Sequence, residues 1–391
     1  MKTHELSETE ARMAIGNAGR IVVKIGSRVL VQASGKPETQ QLKSLVKEIA
    51  GLSAQKREVI IVTSGAIGTG MQALVMRRRP GNLPELQMAA AVGQSRLMNI
   101  YDRMFTAEKK NIGQVLLTHD DLKHRARHLN AKNTISTMLR AGVIPVINEN
   151  DAVAVDEIKF GDNDLLASLV VHLIKADLLI MLTTTDGLRK PARDGKSKRV
   201  SYLRGVSKDV LKYVHGKESD ISTGGMAGKL ESARLVAETA GAFVVIADGR
   251  EPGIIQKILK GEDTGTLIIP ARKGISSEMG GRKGWIAFFH KPNGALVIDE
   301  GACRAIEKGG KSLLPIGVKK IEGIFNSGAM VNIKSPDGRL VARGLTAYSS
   351  REIQVIKGCR TDEITARLGG KKEDEIIHRD NLVLMNSEMQ D

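Results

Sequence analysis

Aromatic side chains are scarce in this chain: one Trp, four Tyr and six Phe stand among 391 residues. So few rings leave little platform for stacking nucleobases, which counts against recognition of single strands by that route. Cysteine is nearly absent too. Cys303 and Cys359 show no C-x-x-C spacing, and both are expected to stay thiols in a reducing compartment. No apolar run has the length to span a bilayer, and the opening MKTHELSETEARMAIGNAGR is polar and carries both charges. It lacks the apolar core of a signal peptide. The expectation is a cytoplasmic protein with no membrane partner. A Walker A loop is also missing. The nearest stretch, TGGMAGKLE (Thr223 to Glu231), sets Gly224 and Gly228 one residue too close and puts Leu230 where Ser or Thr must hold magnesium.

What is present is the composition of an ordinary soluble globular protein, 41% hydrophobic and 26% charged. The length suggests two or three domains. The net charge is +15, and it is unevenly spread: residues 276–391 hold 18 Lys and Arg against 15 Asp and Glu, and the earlier part 41 against 29. A basic face of this kind suits anionic small molecules as readily as polynucleotides. Charge alone therefore does not imply nucleic acid.

The first part of the chain alternates between two periodicities. RIVVKIG (Arg20 to Gly26), EVIIVTSG (Glu58 to Gly65), IGQVLLT (Ile112 to Thr118), Val143 to Ile147, LLIML (Leu178 to Leu182) and FVVIA (Phe243 to Ala247) read as strands. Helices are predicted over Glu38 to Gln55, Glu85 to Lys109 with an interruption at Gly93, Arg127 to Arg140, Leu165 to Ile174 and Met226 to Ala240. The strands are continuous β-branched runs rather than alternating ones, as a parallel sheet covered on both faces requires. The fold class is thus a three-layer α/β/α sandwich with a mainly parallel sheet. Residues 1–19 form a polar extension, 20–270 the α/β domain and 271–283 a linker rich in small and basic residues. Residues 284–391 form a small, mostly β domain, with GALVID, AMVNIK and RLVARGLTAY separated by turn signals.

The densest chemistry lies in INENDAVAVDEIKFGDND, Ile147 to Asp164, read as the turn between the strand ending at Ile147 and the helix starting at Leu165. Glu149, Asp151, Asp156, Glu157, Asp162 and Asp164 repel one another there unless cations or donors sit among them. Ligands of open α/β sheets bind beyond the carboxyl ends of the strands, where this loop would lie. Lys24 interrupts an apolar strand beside Gly26, and Lys229 falls near the first turn of a helix, where a cation opposes the macrodipole. An anionic ligand reverses that penalty, so the two lysines point to a shared phosphate. TSGAIGTG (Thr63 to Gly70) follows a buried strand and opens a helix, a turn that presents backbone N–H groups to an anion.

VVKIGS, VTSGAIGTG, AAVGQSRL, GVIPVINENDAV, KFGDND and TGGMAGKL occur in the order of the amino acid kinase family, and together they resemble its glutamate 5-kinase branch. IDEGACRAI, GKSLLPIGV and HRDNLV resemble the PUA domain, a small barrel, that often follows in that branch. The resemblance implies transfer of the ATP γ-phosphoryl group to the side-chain carboxylate of L-glutamate, with Mg2+, as the first step of proline synthesis. It assigns Lys24, Lys229, Asp162 and Asp164 to catalysis, the acids orienting the lysines or engaging magnesium. Ser64, Gly65, Asp151 and Asn163 would bind glutamate. Lys24, Thr183, Thr184 and the run Thr223, Gly224, Gly225, Met226, Ala227, Gly228 and Lys229 would bind ATP. It further implies feedback by proline, a homo-oligomer (dimer or tetramer) and handover to glutamyl-phosphate reductase. One departure from the pattern falls at Thr184, where an acid is usual, and at Arg189, where Tyr is common; it touches nucleotide contacts. The alternatives are an aspartate, acetylglutamate or uridylate kinase, or an RNA-binding protein acting through the PUA-like part. The near-neutral charge of that part weakens the RNA reading.

Overall fold

Six of the β-branched runs assemble side by side, because each is apolar on both faces and needs helices above and below it. The structure, a computed structural model, describes residues 6–30, 38–118, 121–122, 125–154, 163–191, 197–207, 209–211, 225–270, 292–370 and 373–385. Among these residues its first compact unit carries ten strands: β1 (Arg20–Ile25), β2 (Glu58–Val62), β3 (Ile112–Leu117), β4 (Ile144–Glu149), β5 (Leu178–Thr183), β6 (Arg189–Pro191), β7 (Ser197–Arg199), β8 (Tyr202–Arg204), β9 (Phe243–Asp248) and β10 (Thr266–Ile269). Eight of them form one sheet in the order β3-β4-β2-β1-β5-β9-β10-β8. All its neighbours are parallel except β9 and β10. The chain builds outward from β1 through β2 to β4 and β3, then returns to the other side of β1 with β5. The strand order therefore reverses between β1 and β5, the place where such sheets leave a crevice at their carboxyl edge.

The helices of this unit are α1 (Glu8–Ile15), α2 (Ser27–Leu30), α3 (Thr39–Ala54), α4 (Ala66–Ala73), α5 (Leu83–Ala107), α6 (Arg125–Arg140), α7 (Asn163–Ile174), α8 (Met226–Leu235, continued by a π turn to Ala240) and α9 (Ile254–Leu259). Helix α7 is buried along nearly its whole length, its polar residues Asn163, Asp164, Ser168 and His172 included. Helix α5 runs unbroken, contrary to the expected interruption at Gly93. The glycine is there for contact: a Cβ on Gly93 would meet the Ala66 carbonyl at 1.8 Å, and one on Gly70 would meet the Ala89 carbonyl at 1.7 Å. Helices α4 and α5 thus touch backbone to backbone. The amino-terminal segment read as polar carries α1, whose Ala11 and Ile15 enter the main core. Arg12 is buried with them, its guanidinium donating to the carbonyls of Ser201, Glu262 and Thr264.

The second unit holds β11 (Gly294–Ile298), β12 (Val318–Glu322), β13 (Met330–Lys334), β14 (Leu340–Leu345) and β15 (Leu382–Leu384), in the order β12-β11-β13-β14-β15. Among the described residues three short helices join them, α10 (Glu300–Gly309), α11 (Ser350–Ile356) and α12 (Ile364–Leu368), around a core of its own that includes Leu296, Ile333, Tyr348 and Ile353. Among the described residues no helix is long and apolar enough to cross a membrane. The expected linker, 271–283, and the first residues of the expected β domain, 284–291, lie outside the described residues.

Candidate active site

Lys24 is the next-to-last residue of β1, paired in register with Val62 of β2 and Met181 of β5. It therefore stands beside the strand-order reversal, and its ammonium does not snorkel to water. It is 5% exposed and reaches Oδ1 of Asp164 at 2.5 Å. Lys229, in the first turn of α8 and 7% exposed, reaches the other oxygen, Oδ2, at 2.9 Å. Asp164 itself is fully buried in the first turn of α7, where a carboxylate also complements the helix dipole. Burial by itself raises the Asp164 carboxyl; the charges of Lys24 and Lys229 and their hydrogen bonds outweigh it and hold the group down to about 2. Within this triad two ammoniums face one carboxylate, a formal balance of +1 that suits an anionic ligand.

Beside this triad the end of β2 bends into α4. The Ser64 hydroxyl donates to the Ile25 carbonyl at 2.9 Å, tying the turn to the end of β1. Gly65, at φ 97°, takes the left-handed conformation that lets the chain turn sharply into the helix, and it caps α4. The amide of Asn163 donates to the Thr63 carbonyl at 2.6 Å and to Oδ1 of Asn148 at 3.0 Å. Thr63 in turn meets the buried Tyr101 hydroxyl at 2.9 Å. Lys24, Ser64, Gly65, Asn163, Asp164 and Lys229 thus come together from two strand ends and two helix starts.

The remaining sequence candidates fall around this centre. Asp151 opens the turn beyond β4, and Thr183 ends β5, its carbonyl accepting from the Gly249 amide at 2.8 Å. The Thr184 carbonyl accepts from Arg250, and Arg189 is engaged by Asp186 at 2.6 Å and by the Ser197 hydroxyl at 2.9 Å. Gly225 caps α8, with Met226, Ala227 and Gly228 in its first turn. Asp162, Thr223 and Gly224 lie outside the described residues, as do Asp156 and Glu157. The acidic turn is shorter at both ends than its sequence suggested. Asn148 and Glu149 extend β4 by pairing with Leu116 and Leu117 of β3, and Asn163 and Asp164 already belong to α7.

Among the buried polar residues with no assignment from sequence are Asn148 and Gln94, whose Oε1 accepts from the Asn148 amide at 2.7 Å. The available signal was polarity out of place. Asn148 and Glu149 close a strand that is apolar up to Ile147, and Gln94 lies on the buried stripe of α5 with Ala90, Leu97 and Tyr101.

A parallel sheet with a cationic pair at its switch point fits the comparisons with known proteins. The amino acid kinase family model matches residues 19–248, and the PUA domain model residues 294–368. These define an amino acid kinase fold followed by a PUA domain. A glutamate 5-kinase from Caldanaerobacter subterraneus is 46% identical over 368 residues, covering 94% of this chain and 98% of that protein. Others from Citrifermentans bemidjiense and Moorella thermoacetica are 44% and 42% identical, covering 94% and 97% of this chain and 97% and 100% of theirs. The chain belongs to the amino acid kinase family and, within it, to the glutamate 5-kinases.

Proposed function

We infer that this protein transfers the γ-phosphoryl group of ATP to the side-chain carboxylate of L-glutamate, forming L-glutamyl 5-phosphate for proline synthesis. The observation that carries the reading is one buried carboxylate, Asp164, aligning two lysines from different elements at the strand-order reversal. A glutamate side-chain oxygen forms the new bond to the γ-phosphorus while the bond to the bridging oxygen breaks, and ADP leaves with that electron pair. The acceptor is already ionised at neutral pH, so no general base is needed. Asp164 takes no proton either, since both of its oxygens face ammonium groups. What the chain supplies is alignment, together with charge that strengthens its hold as the phosphoryl group passes between oxygens. Ser64, Gly65, Asp151 and Asn163 hold the amino acid in this reading, and the start of α8 receives the nucleotide phosphates. The described carboxylates do not form a cage for Mg2+. Asp164 is committed to lysines, and no group of three metal-binding side chains occurs among the described residues. We therefore assign the ion to the ATP phosphates, where this hard cation ordinarily sits. Proline, which keeps the amino acid's nitrogen and α-carboxylate but has no acceptor oxygen, would compete at the same site.

Hydroxylamine converts an acyl phosphate into a hydroxamate, so an amino-acid panel assayed this way tests the reaction. We expect L-glutamate to respond on the order of a hundredfold above L-aspartate, because a missing methylene draws the reacting oxygen away from the lysine pair. Equal turnover of aspartate, or activity only with N-acetylglutamate, overturns the reading.

A further inference from the structure

Gln94 is 9% exposed on a helix stripe that is otherwise apolar, a costly place for an amide unless its hydrogen bonds are used. Its bonds are part of a chain. Nδ2 of Asn163 donates to the Thr63 carbonyl at 2.6 Å and to Oδ1 of Asn148 at 3.0 Å, and Nδ2 of Asn148 donates to Oε1 of Gln94 at 2.7 Å. The polarity of this chain is fixed at one end by chemistry. A backbone carbonyl only accepts, so the Asn163 atom facing Thr63 must be nitrogen, and both its hydrogens are then committed. Asn148 must offer oxygen to Asn163 and hence nitrogen to Gln94, which must answer with oxygen.

The other end closes at a cost. Nε2 of Gln94 is sealed from solvent and finds no acceptor among the described residues, and a buried donor left unpaired is destabilising. Turning the amide over to relieve it would set Nε2 against Nδ2 of Asn148. The unmet donor marks Gln94 as held for its oxygen.

We propose that Gln94 is a positioning residue for the amino-acid substrate: through Asn148 it locks the Asn163 amide so that Oδ1 alone is left to a ligand. An acceptor in that position receives the α-ammonium group and repels a carboxylate. The proposal rests on reading the site as one for glutamate. It explains how a site built around two lysines keeps a dicarboxylate in one orientation, because the amino end has an address of its own.

The test compares kcat/KM for L-glutamate with that for glutarate, the same five-carbon diacid without the amino group. Gln94→Met keeps the bulk but offers Asn148 no acceptor. It should lower the glutamate-to-glutarate ratio about tenfold, the value of roughly one hydrogen bond, through the glutamate KM, with kcat and the ATP KM within about twofold. Gln94→Glu keeps an acceptor and should hold the ratio within about threefold of wild type. Partial unfolding of a variant cancels, because both substrates are read on one preparation. The proposal is overturned if Gln94→Met leaves the ratio unchanged, or if Gln94→Glu lowers it as far as Gln94→Met does. A wild-type protein that forms no acyl phosphate from glutamate sinks this proposal together with the assignment of function. A wild-type protein that does, with a ratio indifferent to Gln94, sinks the proposal alone.

Discussion

Asp164 decides more than any other single residue, because it holds Lys24 and Lys229 at once from a fully buried position. Its carboxyl is held near 2, below its ordinary 3.8, despite burial that pushes the other way. For a depressed acid the sign runs one way: its stabilising contribution is present above the unfolded value and is lost as pH falls through about 2. The shift corresponds to roughly 2 kcal/mol. Over the whole range in which an enzyme is ordinarily assayed, Asp164 stays ionised. An acid limb in the rate profile near pH 5 or 6 would have to come from another group. Asp164→Asn leaves two buried ammoniums without their shared partner, and breaking a buried pair in this way costs about 3–5 kcal/mol. We expect that variant to melt well below the parent and to lose kcat on the order of a hundredfold. Added inorganic phosphate should raise its melting temperature more than it raises the parent's, since an anion replaces the missing charge. Equal shifts would show that the two lysines do not form one anion site.

At the scale of elements, the site depends on how α4 is held. Gly65 and Ser64 precede that helix directly, and the helix lies against α5 with no side chain between Gly70 and Gly93. Gly93→Ala forces a Cβ into the Ala66 carbonyl, so the helix must move and the Gly65 turn must follow it. The expected cost is about 1–3 kcal/mol, or roughly 5 °C in melting temperature, together with a raised KM for glutamate. Gly51→Ala is the control: it lies within α3, a Cβ there meets nothing within 4 Å, and the change should be neutral or stabilising. If both variants behave alike, the backbone contact does not govern the site. The sequence disclosed that Gly93 was special but not why, since a helical glycine looks the same whether it breaks a helix or admits a neighbour. The central strands were readable because each is an uninterrupted β-branched run, and so were Lys24 and Lys229, because each stands where its charge is locally unfavourable. The Gln94–Asn148 bond was hidden. It joins residues 54 positions apart, and neither neighbourhood names the other. Arg12 was hidden for the same reason, since the carbonyls that accept from it lie 189 to 252 positions away.

For the whole molecule the question is what the second unit adds. The main core of the first unit draws on α1, α3, β1, β2, β5, α9 and β10, and among the described residues it includes none beyond Ile269. The second unit has its own core, running from Leu296 to Leu382. Every residue given a part in binding or chemistry precedes Asp248, and the excess of positive charge, 41 Lys and Arg against 29 Asp and Glu, also lies before residue 276. The attraction of anionic substrates thus belongs to the first unit. A chain ending after Pro270 is therefore expected to melt in one cooperative transition and to keep kcat and both KM values within about threefold of the full chain, a difference under 1 kcal/mol in barrier or binding. The β10 strand must be retained in that truncation. It pairs with both β9 and β8, and Arg12 is held by the carbonyls just before it. Ending the chain before Thr266 should instead lower stability sharply, because β9 and β8 lose the strand that joins them and the Arg12 acceptors Glu262 and Thr264 are left at a free chain end. A Pro270 truncation that stays folded, binds ATP and glutamate and yet does not form acyl phosphate would show that the second unit takes part in the chemistry.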